Sequence, residues 1–335
     1  MDRVRNREAL LTGRSGSPRA DPAAYCYAFR AMGGQHELQL WAEDRLHADR
    51  AAKAAITDVL RIEAKYSRYR EDSVTAAINR AAGGAAVAID DETAALLRFG
   101  ARCHALSGGR FDLTSGVLRG AWDFRRQPSR IPTDDEIATA CAKVGWERVE
   151  WSDRSVRLSR AGMELDFGGI GKEYAADRVA AICMDHGIRH GFVNLGGDVR
   201  VIGTQVDGTP WRIGIRHPRR MRAVIGEVEL CDAAVATSGD YERYFEADGR
   251  RYCHLLDALT GRPVDHWQSA SVVAPLATLA GGWATIAMLL GEAAVRFLRE
   301  QHADYLLVAA DGTVSCGGAA FERARTNSLE RATNQ

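Results

Sequence analysis

Excess charge is the first thing this sequence does not have. Lys and Arg total 44 and so do Asp and Glu, which makes the formal net charge zero. That argues against a general binder of nucleic acid or other polyanions and leaves room only for a local basic patch. Paired cysteines are missing too. Cys26, Cys103, Cys141, Cys183, Cys231, Cys253 and Cys316 are scattered, odd in number and form no CxxC pair. A disulfide frame or a zinc ribbon needs such pairs, so the thiols read as reduced, as in a cytoplasm. The opening MDRVRNREALLTGRSGSPRADP lacks the apolar core of a secretory signal. Uninterrupted apolar runs are short, the most apolar being Ile286 to Leu290, so no membrane segment is expected. Cytoplasmic is the expected location on these absences. No internal repeat appears, and no GxGxxG follows a strand, which disfavours a nicotinamide oxidoreductase.

What is present is a globular composition. Hydrophobic residues make up 46% and charged residues 26%, so a core is expected over most of the 335 residues. Residues 1–24 are rich in Arg, Ser and Pro without periodicity and read as a flexible tail. Tyr25 to Trp41 reads as two strands. Apolar spacing of three to four predicts helices over Asp49 to Tyr66 and Asp91 to Leu106. Ser73 is a candidate N-cap for a short helix ending near Asn79, and Thr133 for one over Asp134 to Val144. Val149 to Leu158 reads as a hairpin about Asp153. Further strands are expected at Gly191 to Ile202, Trp211 to Ile215, Val224 to Leu230 and Ser269 to Ala274. A helix over Ala280 to Leu290, continued or restarted from Glu292 to Gln301, precedes a last hairpin about Asp311-Gly312.

Three stretches carry chemistry-bearing residues. Arg110-Phe111-Asp112-Leu113-Thr114 follows the helix stop Ser107-Gly108-Gly109 and reads, alone, as a cap and turn. Glu164 to Lys172 reads as a strand ending at Phe167, a glycine turn and then a helix from Tyr174 to His186. Such a turn can present backbone N–H groups to an anion, although its spacing fits no nucleotide fingerprint. Thr237 to Asp240 reads as a polar turn. Tyr241 to Glu246, the Asp248-Gly249 turn and Arg251 to Leu256 then form a hairpin bearing His254, with Asp257 at its end. Taken alone, that hairpin is a surface feature with an ordinary histidine.

Four fragments together are more specific. SGGRFDLT (107–114), LDFGGIGKEYAADR (165–178), NLGGDVRVIG (194–203) and ATSGDYERYF…HLLDALTGRPV (236–264) stand in one order and spacing. With them the sequence, from about Met32 to about Leu307, resembles the FAD:protein FMN transferases of the ApbE type. The resemblance implies one α+β unit over 25–318, T-fold-like, with mixed or antiparallel sheets and packed helices. A second tail covers 319–335. FAD would lie in a cleft between two lobes, and FMN would pass to a Thr or Ser hydroxyl of a target flavoprotein with release of AMP.

By the same resemblance, Met32, Tyr69, Arg110, Phe111 and Asp112 match positions on the adenosine and phosphate side. Asp166, Lys172 and Leu255 match other FAD contacts. Met32 reads equally well as core packing. His254 would take the acceptor proton, and Asp257 would orient it or the flavin. Mg²⁺ is the implied helper, held by a backbone carbonyl near Gly169 and by Thr285. Three positions depart from the family pattern: Gly281 stands for an Asp ligand, Glu173 for Gly, and Ala258 for Pro. Losing the Asp removes the main charge of a hard-cation site. It therefore opens the alternative of an FAD-binding protein without transfer. Water in place of the acceptor would make an FAD pyrophosphatase.

Overall fold

The computed structural model describes residues 22–124 and 129–321. Strands β1 (Ala23–Ala31) and β2 (Gly34–Ala42) open the chain as a hairpin. Helix α1 (Arg45–Tyr66) follows, capped by Asp44, which accepts the His47 N–H. Helix α2 (Val74–Arg80) is capped by Ser73; strand β3 (Val87–Ala88) and helix α3 (Asp91–Leu106) come next. A 3-10 helix, Leu113–Gly120, leads to α4 (Asp134–Cys141), where Thr133 and Glu136 cap each other's backbone N–H groups. Strands β4 (Val149–Trp151) and β5 (Ser155–Leu158) precede helix α5 (Gly171–Asp185). Then come β6 (His190–Leu195), β7 (Asp198–Ile202), β8 (Trp211–Arg216), β9 (Val224–Leu230) and β10 (Ala234–Gly239). The hairpin of β11 (Tyr244–Ala247) and β12 (Arg250–Cys253) leads to β13 (Trp267–Ala274). Helices α6 (Ala277–Leu290) and α7 (Ala294–Glu300) and strands β14 (Asp304–Ala309) and β15 (Val314–Gly317) complete the series.

Eight strands form one antiparallel sheet in the order β1-β2-β6-β7-β10-β13-β14-β15. Its two faces are built by alternation along each strand. Ala270 and Val272 of β13 join the large core with α1, α5 and α6. Val199, Val201, Val235 and Val308 point the other way, onto Trp211, Ile215, Val228 and Leu230 of the β8–β9 ribbon. With both faces covered, β7 is buried along its whole length. A smaller unit around the 3-10 helix, α4 and the β11–β12 hairpin has its own apolar clusters, centred on Leu118 and on Trp122.

The α+β class and antiparallel sheet agree with the sequence reading; five local expectations do not. No strand forms over 163–167. There the Leu165 N–H and carbonyl bond the Asn79 side chain, the Asp166 N–H donates to the Leu113 carbonyl, and the Met163 N–H donates to the Arg160 carbonyl three residues back, so no strand ladder forms. Thr237 to Gly239 is central strand rather than turn, pairing with Ser269 to Ser271; the turn begins at Asp240. Ala23 and Ala24 already pair with Ala42 and Trp41, so the first strand enters the expected tail. Phe321 is buried against the β8–β9 side, and the Ala320 N–H donates to Asp304, so the expected C-terminal tail is also shortened. Residues 1–21 and 322–335 of the two expected tails lie outside the described residues. Finally, Ala277–Glu300 is long and apolar enough to cross a membrane by length and composition, with mean hydropathy 1.3. Half of that window is nevertheless buried inside the protein, under the sheet.

Candidate active site

A cavity of about 630 Å³ opens between the loop after α1, the end of the 3-10 helix and the β11–β12 hairpin. Arg68, Tyr69, Arg119, Glu242, Arg243 and His254 are among its lining residues. Trp122 lies behind this lining, only 1% exposed. That ring packs against Tyr252 at 5.6 Å and Phe245 at 6.3 Å, and its Nε1 donates to the Gly261 carbonyl at 2.7 Å. Guanidinium groups gathered on one cavity over a rigid aromatic cluster suit a ligand that carries phosphates.

The arginines are held in place by a buried carboxylate. Asp166 accepts from Arg68 at 3.2 Å, from Arg119, and from the Gly168 N–H at 2.8 Å. Asp166 thus reaches the cavity through two cations. Arg243 has no carboxylate partner among the described residues. Tyr69 stands on the rim, 60% exposed, with the Arg68 guanidinium 5.1 Å from its ring centre.

His254 is half-buried on the cavity wall. Its Nδ1 lies 3.3 Å from the Arg243 carbonyl, an atom that can only accept, so Nδ1 carries the proton and Nε2 keeps its lone pair. Burial, followed by the Arg243 and Arg119 charges, lowers its pKa to about 4. The ring is therefore neutral at pH 7 and able to take a proton.

The other expected residues fall into three groups. Met32 occupies the β1–β2 turn at φ 48°, a conformation L side chains rarely adopt, and its N–H donates to Glu63 at 2.6 Å. It is half-buried against the main core, as is Leu255. Asp112 is spent inside the protein. Its Oδ1 caps the 3-10 helix through the Thr114 N–H and hydroxyl, and its Oδ2 accepts the Trp146 N–H. A ligand role for Asp112 is thereby displaced by a structural one. Phe111 is buried beside it, its N–H on Ser107 Oγ. Asp257 pairs with Arg110 and accepts the Leu259 N–H at 2.9 Å, and makes no bond to His254. The expected orienting role toward His254 is therefore not what the fold provides; Asp257 fixes Arg110 and the turn. Ala258 stands where Pro was expected, and its N–H donates to the Arg110 carbonyl at 3.1 Å, a bond Pro cannot make.

Lys172 links the cavity to a second cluster. Burial alone would lower its pKa, but Asp198, 2.7 Å away, and Glu173 carry it above the usual lysine range. Its charge is felt at His254 and Glu242. Next to it, Glu173 is only 7% exposed, and its Oε2 has no hydrogen-bond partner. Burial, and then the nearby Asp198, push this carboxyl up to about 8. Glu173 lies against Gly281: a Cβ on that glycine would stand 2.4 Å from Glu173 Cγ and 2.9 Å from Oε1. A carboxyl group from α5 thus fills the space in front of Gly281 on α6. Thr285, one helical turn beyond Gly281, shares a 2.8 Å hydrogen bond with Ser238 of β10. Gly169 is exposed beside Phe111, at the start of α5.

Arg68, Arg119, Arg243, Glu242 and Trp122 were not singled out by sequence as site residues. The aromatic pattern around Trp122 was the one available signal; the arginines gather through partners distant in sequence.

Residues 32–308 match the model of the ApbE family. The chain is similar to an FAD:protein FMN transferase of Salmonella typhimurium, with 32% identity over 296 residues that cover 84% of each chain. A transferase of the same name from Vibrio cholerae is 34% identical over 230 residues, covering 68% of this chain and 69% of the relative. Among solved structures, the ApbE protein of Thermotoga maritima superposes with a TM-score of 0.82 at 33% identity, covering 88% of this chain and 97% of that one. The apo flavinyl transferase ApbE of Pseudomonas stutzeri gives 0.80 at 28% identity, covering 89% and 95%. By sequence over residues 32–308 and by fold, this chain belongs to the ApbE family.

Proposed function

We propose that this chain is an FAD:protein FMN transferase that modifies a Thr or Ser hydroxyl of a target flavoprotein. One observation carries the reading: a neutral histidine, its Nε2 left as acceptor, lines the same cavity as Arg68, Arg119 and Arg243. The cations suit a pyrophosphate.

The reaction asks little covalent work of the protein. The acceptor oxygen bonds to the FMN-side phosphorus of FAD, and the bond from that phosphorus to the bridging oxygen breaks. The bridging oxygen leaves with AMP. His254 takes the hydroxyl proton at Nε2, contributing on the order of 10²- to 10⁴-fold in rate. Arg68 and Arg119, fixed by Asp166, orient the phosphates, and Lys172 adds a compact positive charge. Mg²⁺ is part of the proposal. The Gly169 carbonyl and the Thr285 hydroxyl are oxygen donors of the kind it takes, and when bound it would neutralise charge on the phosphates.

Chromatography of FAD turnover tests this reading. AMP should form only when an acceptor protein is present, and His254→Asn should abolish most of it. Release of FMN and AMP in equal amounts without acceptor would mean a pyrophosphatase. Tight FAD binding with no AMP under any condition would mean a binding protein.

A further inference from the structure

Glu173 is the buried polar group that the reading above leaves unused. It sits in the first turn of α5, only 7% exposed, with Oε2 unpartnered. A carboxylate oxygen sealed in protein without a donor costs on the order of 1–3 kcal/mol or more, so its presence asks for a partner. Its position is constrained. Cγ and Oε1 fill the space in front of Gly281 on α6, where any larger residue would collide. Asp177, one turn further along α5, accepts the Ala277 and Thr278 N–H groups at 2.7 and 2.9 Å and so caps α6. The two helices are thereby locked together with Glu173 between them. Thr285 lies one turn along α6 from the glycine, its hydroxyl shared with Ser238.

We propose that Glu173 supplies a metal-binding carboxylate from α5 in place of the one α6 lacks at Gly281, and that with Thr285 it holds a divalent cation such as Mg²⁺. Glu173 stands where a side chain at 281 would have to go, so its carboxyl can reach the place in front of α6 that Gly281 leaves open. A hard cation prefers an anionic oxygen ligand, and Glu has the reach to bring one from α5 across to α6. No cluster of three or more His, Cys, Asp or Glu among the described residues could hold a metal alone. Mg²⁺ commonly binds through one or two carboxylates plus substrate phosphates and water, so the site is completed by the FAD pyrophosphate. Asp198 faces the same region but is occupied by Lys172. The assignment rests on the FAD reading for that last set of ligands, not for the role of Glu173.

Mn²⁺ binding to the full chain, followed by electron paramagnetic resonance with and without FAD, tests it. Wild type should bind Mn²⁺, more tightly with FAD. Glu173→Gln, nearly isosteric and checked for folding by circular dichroism, should weaken Mn²⁺ at least tenfold. It should keep FAD affinity measured in EDTA. The exchange variant Glu173→Gly/Gly281→Asp should recover Mn²⁺ binding to within a few-fold of wild type. Equal Mn²⁺ affinity in wild type and Glu173→Gln overturns the assignment, as does a wild type that binds FAD and no Mn²⁺. If no form binds FAD, the transferase reading fails instead, and the FAD-free Mn²⁺ titration still decides whether Glu173 is a ligand.

Discussion

Placing an aspartate at 281 without removing Glu173 should damage this protein, although Asp is the residue the family pattern leads one to expect there. A Cβ at 281 would lie 2.4 Å from Glu173 Cγ and 3.0 Å from Cδ. Ordinary carbon contacts are about 3.5–4.0 Å, so one group must move by more than about 1 Å. The Asp177 cap on α6 resists separation of the helices. Overpacking of this kind costs roughly 1–3 kcal/mol. A second carboxyl in the same dry site adds more, since it too must be buried without a hydrogen-bond partner. The sum for Gly281→Asp is about 3–5 kcal/mol, or a Tm lower by about 10 °C at the 2–4 °C per kcal/mol usual for larger domains. Glu173→Gly alone removes a buried carboxyl with an unpartnered oxygen and leaves a small gap, so its effect should stay within about 1 kcal/mol. The double variant should regain most of the loss, giving a coupling of at least about 2 kcal/mol. The assay is urea and thermal unfolding of all four forms in EDTA, which keeps metal out of the comparison. Additive effects, or a Gly281→Asp protein as stable as wild type, would refute the contact between these two positions.

Other outcomes follow from single contacts. His254→Asn should lower kcat/KM by about 10²- to 10⁴-fold, and the wild-type kcat/KM, which reports the free enzyme, should stay flat from pH 8 to 5 and fall only near pH 4; a titration near 6.5 would show an unburied ring. Because the folded pKa of His254 lies below its unfolded value, the unfolded chain takes up a proton first as pH drops. The fold should therefore lose up to about 3 kcal/mol between pH 6.5 and 4, a loss absent from His254→Asn in acid-unfolding curves. Asp166→Asn frees Arg68 and Arg119 from their anchor and should weaken kcat/KM for FAD by about 10- to 100-fold while circular dichroism stays unchanged. Ala258→Pro deletes the N–H that bonds the Arg110 carbonyl and should cost about 1–3 kcal/mol in chemical unfolding; no loss would mean that bond is solvent-replaced.

Much of the fold was readable because local signals and tertiary demands agreed. The apolar spacing of Ala55, Val59 and Ile62 faces the core as expected, and α3 runs over the residues its periodicity marks. Asp248-Gly249 takes the two positive φ values, 51° and 71°, that a tight hairpin needs. The misreadings share one cause. Residues 163–167 look like a strand, yet their partner is the side chain of Asn79 rather than a neighbouring strand. Thr237 to Gly239 looks like a turn, yet its hydroxyls are satisfied by Ser271 on the neighbouring strand and by Thr285 on α6. Long-range partners decide both, and a linear pattern does not show them. The site divides the same way. His254 was legible from the resemblance, and its hairpin from the turn signal. The gathering of Arg68 and Arg119 on Asp166, and the filling of the Gly281 space by Glu173, depend on packing between separate elements. Asp112 and Asp257 show the reverse: both stand in recognisable motifs, and both are consumed in holding loops together.

The most direct test of the central claim is the intact mass of an acceptor protein. An acceptor that the Salmonella typhimurium transferase modifies would be incubated with this chain, FAD and Mg²⁺, and with His254→Asn in parallel. The expected result is an acceptor heavier by one FMN less water, one AMP released per event, and almost no product from His254→Asn. An unchanged acceptor mass with this chain, alongside full modification by the Salmonella enzyme under the same conditions, would contradict transfer to that acceptor. An FMN increment formed equally well by His254→Asn would contradict the role given to His254.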